Sequence, residues 1–138
     1  MKRICMVLII IFSLTFSGCS KASDNYNVKL NDDYSIIKSS ATSVAICKKE
    51  GNGCWHNLTS DGIVVEAGCS DKYIVAKQFG LKKGAFSRTI ADKSKESYWI
   101  IDVDLNIVNG PLSMTEFNKM VDEMSLENLE LKSIEEFQ

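Results

Sequence analysis

Tyr98-Trp99-Ile100-Ile101-Asp102-Val103 carries five aromatic or β-branched residues in a run of six. Both alternating faces of the run are apolar, which predicts a central strand buried on both sides. Asp104-Leu105-Asn106 then turns the chain, and Ile107-Val108 begins a short return strand. Upstream, the Lys-rich residues 78–97, with Gly80 and Gly84, read as a long connection. Further upstream, Ile63–Glu66 and Tyr73–Lys77 read as a hairpin around Gly68-Cys69-Ser70-Asp71. Tyr26–Leu30, Tyr34–Lys38 and Thr42–Cys47 are strand-like, separated by Asn31-Asp32-Asp33 and Ser39-Ser40.

Downstream, Asn109-Gly110-Pro111-Leu112 reads as a breaker. Ser113 with Glu116 three residues later is a capping box, which satisfies the first N–H groups of a helix. Met114, Phe117, Val121 and Met124 follow at helical spacing with Met120 beside them, an apolar stripe directed at the sheet. The expected fold class is α+β: an antiparallel meander of about five to seven short strands with one C-terminal helix packed on it. The domain is expected over residues 26–124. Residues 125–138 form an acidic tail, whose Leu126, Leu129 and Leu131 either dock or fray.

The start of the chain reads as a targeting signal. Lys2 and Arg3 precede an apolar run from Ile4 to Phe16, and the small residues Ser17 and Gly18 lead to Cys19. The run is shorter than the ~20 apolar residues of a spanning helix. Phe16-Ser17-Gly18-Cys19 resembles the bacterial lipobox, whose cysteine takes a diacylglycerol and becomes the new N-terminus; Phe16 stands where that pattern usually has Leu. Residues 1–18 are then a lipoprotein signal peptide, and 19–25 a lipidated Cys19 with a short linker. Six linker residues reach at most about 20 Å, so the domain is expected close to the bilayer. Cleavage would leave 14 basic against 18 acidic residues. That balance argues against nucleic acid as a partner, since phosphates call for a basic surface, and against electrostatic adhesion of the whole domain to anionic lipid, so that the lipid must carry the anchoring.

Tyr98-Trp99-Ile100-Ile101-Asp102, Gly110-Pro111-Leu112 and Glu116-Phe117, with the early Leu30 and Tyr34, resemble a family of small bacterial lipoproteins defined only as a domain of unknown function. The resemblance spans roughly residues 26–124. It implies a lipobox and a compact domain, and it brings no activity and no catalytic residues.

Cys47 and Cys54 flank the Lys48-to-Gly53 turn. A hairpin there would set them nearly opposite each other, and the expectation is a Cys47–Cys54 disulfide in an oxidising compartment. Cys69 is left over. One alternative is three reduced, buried cysteines. Another is zinc held by Cys47, Cys54, His56 and Cys69, although their spacing does not match the usual knuckle. His56 is the single histidine, so Cys–His or Ser–His catalysis would depend on it. Asp102 and Asp104 share a strand face but read as the acids that end a strand. Lys77, Lys82, Lys83, Arg88, Lys93 and Lys95 gather around the expected connection. They form either a solvated loop or a patch for anionic lipid or cell wall.

The expected function is a lipid-anchored, non-enzymatic protein of the cell or outer membrane, facing the extracytoplasmic side, with no cofactor. The rival readings are a small inhibitor or immunity-type binder of a secreted enzyme, and an envelope enzyme or zinc protein using His56.

Overall fold

A computed structural model describes residues 25–137. The expected signal peptide, Cys19 and most of the expected linker lie outside these residues. The elements are β1 (Tyr26–Lys29), β2 (Tyr34–Ser40), β3 (Ser43–Lys49), β4 (Trp55–Asn57), β5 (Ile63–Cys69), β6 (Tyr73–Lys83), β7 (Thr89–Asp102), β8 (Ile107–Leu112), α1 (Met114–Glu123) and β9 (Lys132–Ser133). One sheet runs in the order β1-β2-β3-β5-β6-β7-β8, with β4 on β3 and β9 on β5.

The decisive stretch sits where its composition places it. β7 pairs with β6 on one side and β8 on the other, and Tyr98, Trp99, Ile100 and Ile101 are all buried. Because side chains alternate across a strand, this run feeds two cores. Trp99 and Ile101 join Tyr34, Ile36, Ile46, Val64 and Ile74 in the larger one. Tyr98 and Ile100 join Val75, Phe117 and Leu126 in the smaller one, beneath α1. The helix forms as its sequence dictates. The Ser113 hydroxyl accepts from the Glu116 N–H, and Glu116 accepts from the Ser113 N–H at 2.8 Å. Phe117 stacks on Tyr98 with ring centroids 4.9 Å apart, whereas Met114, expected in the stripe, is exposed.

Several expectations need correction. Among the described residues the sheet holds nine strands rather than five to seven, and it is mixed, because β3 and β5 pair in parallel through a single rung, Val44 with Ile63. β9 takes the edge of β5 beyond that rung, pairing at Glu66 and Ala67. The tail is therefore part of the fold, and Ile134 and Leu126 are buried in the two cores. Residues 78–97 are not a connection: they complete the long β6–β7 ladder, closed by a tight turn at Ala85–Ser87. Asn109-Gly110-Pro111-Leu112 is not a breaker but the end of β8. There the backbone of Gly110, at φ +152°, lies so close to the Trp99 ring that a Cβ would collide with it. The residues Tyr98-Trp99 and Gly110-Pro111, noted as one motif, thus touch across the β7–β8 pair.

The sheet folds over at the β3–β5 junction and encloses the larger core. Tyr34, at the start of β2, donates from its hydroxyl to Asn106 in the β7–β8 turn at 3.0 Å. The Cys69 thiol, at the end of β5, reaches the Leu30 carbonyl at 3.7 Å. Inside, Gln78 is buried with every polar atom occupied. It donates to the Ser60 carbonyl at 2.6 Å and accepts from the Trp99 indole at 2.9 Å.

Candidate functional site

The strand registers define two ends of the molecule. Tyr26 pairs with Lys38, Lys38 with Val44, Val44 with Ile63 and Ile63 with Phe79. These residues form one row near the end where the described chain begins. The opposite end holds the 30–33 loop, the β3–β4 hairpin and the β5–β6 and β7–β8 turns. The Tyr34–Asn106 and Cys69–Leu30 contacts bring this far end together.

The cysteine and histidine candidates lie at or near the far end, and the structure does not assemble them. In the β3–β4 hairpin Cys47 faces Asn57, Lys48 faces His56 and Lys49 faces Trp55. Cys54 sits opposite Glu50, whose N–H donates to the Cys54 carbonyl at 2.8 Å. The expected Cys47–Cys54 disulfide is therefore out of register, and Cys47, Cys54 and Cys69 are free thiols. Cys47 is 2% exposed, and its thiol lies 3.0 Å from the Asn57 side-chain oxygen. Burial pushes that thiol up to about 11, so it is neutral and unreactive near pH 7. His56 is exposed on β4. Among the described residues no three His, Cys, Asp or Glu side chains come together to hold a metal ion. Asp102 acts as its position suggests, accepting from the Leu105 N–H at 2.8 Å to close the turn.

The near end is different. A cleft of about 510 Å³ opens beside the first strand, lined by Tyr26, Lys38, Ile63, Ile134 and Glu135 among others. Burial, and then the nearby Glu135 carboxylate, raise the Tyr26 hydroxyl above its ordinary range. From the same row, beyond a bulge that leaves residues 93–95 of β7 without a partner on β6, the β6–β7 hairpin runs on alone: Gly80 pairs with Asp92, Leu81 with Ala91, Lys82 with Ile90 and Lys83 with Thr89. Four residues beyond Phe79, at ~3.3 Å each, carry this finger about 13 Å past the row before its tip turns.

The finger's tip is basic and aromatic. Gly84 donates to the Arg88 carbonyl at 2.7 Å, closing the turn. Phe86 and Ser87 adopt left-handed backbone at φ 55° and 59°, and Phe86 is 97% exposed. Lys82, Lys83 and Arg88 surround the tip in sequence, with Lys93 and Lys95 below. Asp92 is the finger's single acid. Its carboxyl is held below the ordinary range first by the Ser94 hydrogen bond and then by Lys82. Lys82 and Lys95 lie 3.5 and 3.9 Å from it. Nearer the core, Lys77 and Glu96 form an ion pair at 2.9 Å.

The sequence pointed to these cations but not to Phe86, a single aromatic in an apparently irregular stretch. The signal was its setting, two residues after Gly84 and two before Arg88, where a tight turn must expose it.

No helix among the described residues is long and apolar enough to cross a membrane. No curated protein and no solved structure matches the chain. A family model described as protein of unknown function (DUF3997) matches residues 31–135, reaching past α1 into the docked tail, and the chain belongs to that family.

Proposed function

We propose that the protein is a lipid-anchored component of the cell envelope, held through Cys19 on the extracytoplasmic side, and that its domain binds and does not catalyse. The observation that carries this reading is the spacing between anchor and fold. Cys19 precedes Tyr26, the first residue of β1, by seven positions, and Tyr26 stands on the near end. A diacylated Cys19 would hold that end at the bilayer and turn the far end outward. Lipid chains contribute ~0.8 kcal/mol per buried CH₂, and two chains suffice for stable anchoring. The non-catalytic part of the proposal is supported by the far-end chemistry: His56 is exposed, and the buried Cys47 is a neutral thiol.

Cell fractionation with mass analysis of the mature N-terminus tests the anchor. The wild-type chain is expected in the membrane fraction with diacylglycerol on Cys19. Cys19→Ser is expected either to release the domain or to leave the signal uncleaved. A cleaved Cys19→Ser chain that stays with the membrane would overturn the proposal.

A second reading, an inhibitor or immunity-type binder of a secreted enzyme, is favoured by the exposed Leu105 and Ile107. Leu105 lies in a far-end turn and Ile107 on β8, an edge strand with an unpaired side. Cross-linking in intact cells should then capture one partner that Leu105→Asp with Ile107→Asp loses.

A further inference from the structure

Residues 80–95 hold five cations and one acid in a chain that is otherwise acidic. The one acid is engaged by Ser94, Lys82 and Lys95, low on the finger. Lys83, whose ammonium donates to the Thr89 hydroxyl at 3.3 Å, and Arg88 are left at the tip. Phe86 lies between them, 97% exposed. Its left-handed backbone is uncommon for a bulky residue and is costly unless the surroundings impose it. Glycine would fill that turn without strain, and burial does not account for the ring. The finger also points past the row that contains Tyr26. It therefore extends toward the side on which a lipid on Cys19 would lie.

Resting on the anchoring reading above, we propose that the β6–β7 finger is a second membrane contact. Phe86 enters the interface of an anionic bilayer, while Lys83 and Arg88 hold lipid phosphates and Lys82, paired with Asp92, cancels the one acid behind them. The dimensions agree. The linker reaches at most about 20 Å, the finger extends about 13 Å past the row, and four inter-strand steps of ~4.8 Å separate β1 from β6 at most. Both attachments can therefore meet one flat surface. Lysine and arginine stems lie along apolar material while their heads stay with phosphate, which suits cations flanking an inserted ring. Each cation near an anionic surface contributes about fivefold in binding, and the effect falls off within a Debye length.

The test uses the lipidated full chain carrying Phe86→Trp, reconstituted in phosphatidylcholine vesicles with or without phosphatidylglycerol. The acyl chains carry nitroxide quenchers. In anionic vesicles the added indole should be quenched beyond the background of Trp55 and Trp99. The added quenching should disappear in neutral vesicles, at about 1 M salt, where the Debye length is ~3 Å, and in Lys82→Glu/Lys83→Glu/Arg88→Glu. Flotation of the same samples reads the lipid anchor separately. Chains that float without added quenching overturn the finger proposal and leave the anchor intact. Equal quenching in neutral vesicles overturns recognition of anionic headgroups. Should the chain carry no lipid and fail to float, the anchor reading falls. The finger is then read by salt-sensitive co-sedimentation of the unlipidated chain with anionic vesicles, and no co-sedimentation overturns it too.

Discussion

Cys47 and Cys54 belong to one hairpin and differ in chemistry because of where the turn is centred. Gly53 takes the left-handed position at φ +80°, its N–H donates to the Glu50 carbonyl at 2.8 Å, and the Asn52 side chain accepts from the Cys54 N–H at 2.9 Å. These bonds centre the hairpin on Asn52, and Cys47 then faces Asn57. The turn itself was legible in the stretch from Lys48 to Gly53. Its centre was not, because Gly51 and Gly53 offer two places for positive φ and only the finished hydrogen bonds select one. The consequence is measurable. A thiol reagent at neutral pH should label Cys54 at once and Cys47 only as fast as the domain opens, and a reductant should leave the melting temperature unchanged. Peptide mass analysis of a labelling time course checks this. Prompt modification of Cys47 would contradict its burial.

Among the elements, α1 was legible to within a residue because its start depends on local physics, one hydroxyl and one carboxylate closing on nearby N–H groups. The finger was not, since Lys and Gly are poor strand formers in isolation and only pairing between residues 80–83 and 89–92 makes them a ladder. The tail is the sharpest case. Its acidity and scattered leucines left docking and fraying both open; β9 occupies the side of β5 that β3 leaves open, and Ile134 closes the larger core. No pattern within residues 125–138 announces a vacant strand edge some 65 positions away. Ile134→Ala is therefore expected to cost about 2–5 kcal/mol, as for a core truncation. The neighbouring exposed Glu136→Ala should stay within ~0.5 kcal/mol. Denaturant melts of the two variants check the contrast, and equal midpoints would show that the tail does not hold the core shut.

For the whole molecule, acid stability follows from a few carboxyls held below their ordinary range. Glu96 is lowered first by its bond from Lys77, Asp92 by Ser94 and Glu116 by the Ser113 backbone N–H. Each is more acidic folded than unfolded. Their contribution is therefore complete above the unfolded carboxyl range, about pH 4, and is lost as pH falls through the lower folded values. Cys47 acts in the opposite sense: its thiol is weaker when folded, so stability declines as pH rises past the ordinary thiol range of about 8.5. Thermal melts should give a plateau between about pH 5 and 8 with a fall on each side. A melting temperature that rises below pH 4 would contradict the acid limb. The α+β class was legible in the sequence, but the mixed sheet was not. The single Val44–Ile63 rung arises from how two antiparallel halves meet, and neither half encodes it alone. The docked tail also bears on the order in which the fold can form. The hairpins are local and can close early, since short loops cost little entropy. The larger core, however, stays open along β5 until residues 132–134, some 65 positions downstream, arrive to seal it. Closing so long a loop costs more entropy than closing any of the hairpins, so the docking of this segment, and not the zipping of the local turns, is the step that completes the fold.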